Sequence, residues 1–115
     1  MYKTNICLFI SSFDLKKSER VILSVSEEKY VPLSIELQDY HKTVYDALTE
    51  LFESVVDMDT KWANMILVDV IKENDIVNIY YACLIPPDTA IKQYCYISTH
   101  LAVINRIARK SLSYV

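Results

Sequence analysis

The sequence predicts an α+β domain, layered α/β/α, with a mixed β-sheet, a central amphipathic helix over 43–57 and a C-terminal helix over 99–112. Three observations predict it. The stretch His41 to Met58 carries the apolar period of a helix. Several short runs rich in β-branched and aromatic residues are bounded by turn residues, as strands are. Helices separated by paired strands imply a sheet with a helix on each face. At 115 residues the chain reads as a single domain, 1–115, large enough to build one core without metal or disulfide staples.

In order, the run over 3–10 (KTNICLFI) reads as a buried strand ended by Ser11 and Ser12. The charged stretch over 13–20 reads as a loop. A second strand is expected over 21–25, with Val21, Leu23 and Val25 on one side and Ile22 and Ser24 on the other. Pro32 stops an extended segment, and 33–40, without a clear period, reads as an ordered loop into the helix.

In the central helix, Val44, Ala47, Leu48, Leu51, Phe52 and Val55 share one face. Thr43 followed by Asp46 has the pattern of a capping box. The opposite side carries Asp46, Glu50, Glu53 and Asp57, four carboxylates at spacings that make them surface neighbours. Lys42 is placed to offset Asp46 and Lys61 to offset Asp57, whereas Glu50 and Glu53 have no cation nearby in sequence. A strand over 62–70 should place Met65, Leu67 and Asp69 on one face and Ile66, Val68 and Val70 on the other. With the run over 76–85 it should form a hairpin around the turn at 72–75. A short strand over 94–97 and the C-terminal helix complete the order. In that helix Leu101, Ile104, Ala108 and Leu112 form an apolar line, and Arg106, Arg109 and Lys110 complement the helix dipole.

Composition narrows the function. A net charge of −3 gives no footprint for duplex nucleic acid or an anionic membrane. No apolar run reaches the roughly 20 residues of a membrane-spanning helix. Cys7, Cys83 and Cys95 lack CxxC spacing and read as reduced thiols of a cytoplasmic protein. The chain has no glycine at all, where average usage of about 7% would supply about eight. This removes the glycine-rich phosphate loops of P-loop and dinucleotide-binding proteins, and leaves left-handed turn positions to residues such as Asn74 and Asp75. Tyr80 and Tyr81, adjacent on a strand, should point to opposite faces.

The element order, with Pro32 ahead of the loop and the acidic helix, resembles the Nudix hydrolase fold. That family's box ends in Arg-Glu-apolar-x-Glu-Glu, and Thr49-Glu50-Leu51-Phe52-Glu53-Ser54 is similar to it. Glu50 and Glu53 then stand at two of the three glutamates of the box helix, and the late YCYIS segment resembles an aromatic strand of the family. The resemblance implies helix carboxylates that hold divalent cations, usually magnesium, against a substrate diphosphate; Asp46, Asp57, Glu36 or Asp39 would substitute for absent family residues if the fold brings them close. The departures are Thr49 at the box arginine, Ser54 at the third glutamate, Val56 and Ile35 at glycines, and His41 at the upstream glutamate.

The resulting expectation is a catalytically degenerate Nudix-like domain that binds or assembles through protein contacts, by a protein partner or by self-association. It requires no cofactor, and the acidic stripe Asp46, Glu50, Glu53 and Asp57 forms its interaction surface. One alternative is a divergent magnesium-dependent nucleoside diphosphate or polyphosphate hydrolase, with Glu50 and Glu53 as metal ligands and catalytic candidates and a nucleotide as ligand. The other is a small viral or accessory structural subunit.

Overall fold

The computed structural model describes residues 2–16, 19–24, 31–92 and 96–98. Within them the chain forms a mixed six-stranded sheet and one α-helix. The elements are β1 (Lys3–Asp14), β2 (Glu19–Ser24), β3 (Leu33–Glu36), α1 (Val44–Val55), β4 (Ile66–Glu73), β5 (Ile76–Leu84) and β6 (Tyr96–Ser98), with a 3-10 turn at Thr60–Trp62 before β4. The predicted helix over 99–112 and Cys95 lie outside the described residues.

β1 is the axis of the sheet. Along one side it pairs parallel with β5 from Lys3↔Ile76 to Ser11↔Leu84. Along the other it pairs antiparallel with β3 near its start and with β2 near its end. β4 lies at the sheet edge, joined antiparallel to β5, and β6 adds to β2. The 66–84 hairpin therefore has one internal strand and one edge strand.

Residues at even positions of β1 face α1. Ile6, Leu8 and Ile10 join Leu33, Cys83 and Leu23 with the helix residues Ala47, Leu48, Leu51, Phe52 and Val55 in one buried core. The apolar face expected of the helix is thus the core face, and Phe52 is fully buried at its centre. The opposite face of the sheet holds a smaller cluster of Ile22, Val68 and Ala82, with Phe9 stacked on Tyr80. Tyr81 packs into the helix-side core instead, so the two tyrosines do point to opposite faces.

Four boundaries and one register differ from the sequence reading. The 13–20 segment is not all loop, because β1 runs on to Asp14 and pairs Phe13↔Arg20 and Asp14↔Glu19 with β2. The 33–40 segment begins with β3, in which Leu33 and Ile35 alternate with Ser34 and Glu36, a four-residue period of two. The helix ends at Val55 rather than 57. Val56 turns extended and bridges to Ile91, so its β-branched side chain joins the core from outside the helix. The strand expected over 62–70 starts at Ile66, since Thr60–Trp62 forms the 3-10 turn. A bulge between Leu67 and Asp69 reverses the expected alternation of β4. Val70 is opposite Ile79 and Asp69 opposite Tyr80, so Val70 shares a face with Leu67 rather than with Val68. In the hairpin turn Asn74 takes a left-handed φ of 54° in place of glycine; Asp75 does not.

The register also fixes the chemistry of two thiols. Cys7 is opposite Tyr80, and Cys83 is opposite Ile10, so the two side chains point to opposite faces and cannot meet in a disulfide. Burial raises the Cys7 thiol and pushes Cys83 up to about 12. In a Cys95→Ser variant, a thiol-specific disulfide reagent in mildly alkaline buffer is expected to leave both unmodified until denaturant is added. Stoichiometric labelling of Cys83 in the native protein would contradict this burial.

Candidate functional site

The helix carries three of the four predicted carboxylates while Asp57 lies beyond its end, and each is directed to a different task. Asp46 completes the capping box: Thr43 Oγ1 accepts from the Asp46 N–H at 3.2 Å, and Asp46 Oδ2 accepts from the Thr43 N–H at 3.1 Å. Its carboxylate is therefore part of the helix start.

Glu50 is held by the turn that leads into the helix. Both of its oxygens lie 2.9 Å from the Tyr40 hydroxyl, and Oε2 also meets His41 Nε2 in a short hydrogen bond. His41 Nδ1 accepts from the Gln38 backbone N–H at 2.9 Å. The network thus assigns the neutral Nε2–H tautomer, which donates to Glu50. The imidazole is buried, with its side chain 2% exposed, while the Glu50 side chain is 45% exposed. The hydrogen bond from His41, then that from Tyr40, holds the Glu50 carboxyl below its usual range. The bond to Glu50 raises the Tyr40 phenol in turn.

Glu53 is held from the other end of the helix. Its Oε2 accepts from the Thr60 hydroxyl at 2.7 Å and from the Thr60 N–H at 2.9 Å. Thr60 is buried at the start of the 3-10 turn. The Thr60 hydroxyl and N–H lower the Glu53 carboxyl, and Lys92 adds to the effect. The Lys92 ammonium reaches the Glu53 carbonyl at 3.3 Å, and its backbone N–H reaches the Val55 carbonyl at 2.7 Å. The cation missing from the local sequence of Glu53 thus arrives from 39 residues away.

Asp57 lies beyond the helix, its N–H donating to the Ala90 carbonyl. Its neighbours around a shallow hollow are Glu53, Asp59 and Lys92. Lys61 pairs with Asp59 at 3.7 Å, not with Asp57 as its spacing implied, because the 3-10 turn carries it toward Asp59. Glu36 faces Lys3 across the β1–β3 pair at 3.7 Å, and Asp39 is exposed in the turn before the helix. The fold thus does not draw Glu36 into contact with the helix carboxylates. Among the described residues, no three His, Cys, Asp or Glu side chains converge in an arrangement able to hold a metal ion.

Sequence reasoning missed Tyr40 and Thr60, and it set His41 only at the position of the family's upstream glutamate. Their roles arise from chain reversals at the two ends of the helix, which no spacing along the helix encodes. The only signal was local: an apolar helix face flanked by side chains able to donate to its carboxylates. Among the described residues no helix is long and apolar enough to cross a membrane. No protein-family model and no curated protein matches this chain.

Proposed function

We propose that this chain is a catalytically degenerate, cytoplasmic Nudix-like domain, layered α/β/α with its second helix over 99–112, that works as a protein-binding or assembly module. One observation carries the reading. The two glutamates that the resemblance assigns to metal are engaged by protein donors, Glu50 by Tyr40 and His41 and Glu53 by Thr60. Magnesium takes oxygen ligands in a near-octahedral shell. Carboxylates that each already accept two donor protons are a poor fit to it. The sheet with the acidic helix against one face is the arrangement that the resemblance requires, which supports the family reading. The acidic side of the helix then serves as contact surface for a partner of opposite charge.

The competing reading, a magnesium-dependent hydrolase of nucleoside diphosphates or polyphosphates, is tested directly. Incubating the full chain with a nucleotide panel and magnesium or manganese is expected to release no phosphate above the background of a Glu50→Gln/Glu53→Gln variant. Metal-dependent release that the double variant abolishes would overturn the proposal.

A further inference from the structure

We propose that the groove between β3 and α1 docks a lysine side chain carried on an apolar stretch of a partner protein, with its ammonium seated on Glu50. The inference rests on the binding-module reading and names the chemistry of the partner. The groove has an apolar floor of Leu33, Ile35, Leu51 and Val55, and Glu50 and Ser54 lie at its rim. At about 310 Å³ it stands at the small end of ligand clefts, which run from roughly 300 to 1,000 Å³. That volume suits one long side chain and its neighbour better than a whole nucleotide.

The polar groups decide what enters. Ser54 Oγ donates its proton to the Leu51 carbonyl at 2.7 Å, so only its lone pairs face the groove. Glu50 is an acceptor and is held ionised by His41 and Tyr40. A rim built of acceptors above an apolar floor favours a cation on a hydrocarbon stem and disfavours phosphate or carboxylate. Asp46 and Glu53, one turn away on either side along the helix, add to the negative field.

A carboxylate offers about four lone-pair sites. The Tyr40 hydroxyl carries one proton, shared between its two 2.9 Å contacts, and His41 donates a second to Oε2, so lone pairs remain on Glu50 for an incoming cation.

The test is an NMR titration of the full chain with an acetylated and amidated Val-Lys-Val-Thr peptide. A parallel titration uses the peptide with its lysine Nε-acetylated. The lysine peptide is expected to shift amides at 33–35 and 50–55. Acetylating the lysine, or making Glu50→Gln, should weaken binding by about tenfold or more, as expected for a lost charged hydrogen bond. The exposed substitution Ser54→Leu should block the groove while leaving the Glu50 network in place, so that it reports even if Glu50→Gln disturbs the fold. No localised shifts at millimolar peptide, equal binding of the acetylated peptide, or unaltered binding by Ser54→Leu would each overturn the docking site. Nucleotide hydrolysis by the wild type would instead overturn the binding-module reading, so the two failures are separable.

Discussion

Replacing Phe52 with alanine is expected to destabilise the domain by about 3–5 kcal/mol, the range for removing a buried aromatic ring. Phe52 is fully buried where α1 meets Ile6, Leu8 and Ile10 of β1. The central strand cannot move to fill the void, since β5 flanks it on one side and β3 and β2 on the other. Domains of this size hold only about 5–15 kcal/mol in total, so the variant should melt about 15–20 °C lower. A calorimetric scan against the wild type measures this. A loss below about 1 kcal/mol would mean that the helix does not anchor the core. A control at exposed Tyr45 on the same helix should stay within about 0.5 kcal/mol of the wild type.

The second large effect belongs to Glu53. Truncating it to alanine leaves the hydroxyl and N–H of buried Thr60 without their acceptor. An unsatisfied buried donor costs about 1–3 kcal/mol, and denaturant titration should show a loss in that range. Glutamine keeps one carbonyl oxygen as acceptor, so Glu53→Gln should lose less. The pH dependence separates charge from shape. The folded carboxyl is held below its ordinary value, chiefly by the Thr60 hydroxyl and N–H. Its contribution is therefore fully present above the unfolded value of about 4.3 and is lost as pH falls through the folded one. Glu50, lowered by His41 and Tyr40, acts with the same sign. Below about pH 4.3 the wild type should lose stability more steeply than the Glu53→Gln variant. Equal slopes would show that the Thr60 bonds do not depend on the charge.

The sequence revealed the helix far better than its surroundings. The apolar face from Val44 to Val55 and the capping box were legible because both are set by spacing within one element. The 66–84 hairpin was legible from two β-rich runs around a turn at Asn74. β3 was hidden because a four-residue alternation, Leu33 to Glu36, is too short to stand out from irregular chain. The bulge at Val68 was invisible for another reason. A register shift belongs to a pair of strands, and the sequence of one strand does not contain it. The carboxylate stripe gave the most incomplete reading. Its spacing implied four acids along one side of the helix, but Asp57 lies beyond the helix end. Their partners Tyr40, His41 and Thr60 come from the turns before and after the helix, and Lys92 arrives from 39 residues beyond Glu53. Whether a carboxylate binds a ligand or holds the scaffold depends on those partners.

This difference can be read in the sign of one measurement. Carboxylates gathered for a metal repel one another when the metal is absent, so neutralising or removing them stabilises the metal-free protein. Carboxylates that clamp the fold do the reverse. Thermal melting of the wild type and of Glu50→Ala and Glu53→Ala variants, each in EDTA and in millimolar magnesium, distinguishes the two. If Glu50 and Glu53 clamp the fold, both variants melt below the wild type in EDTA and magnesium shifts none of the three proteins. Variants more stable than the wild type in EDTA, with a magnesium-dependent rise in the wild type that they lack, would contradict that role.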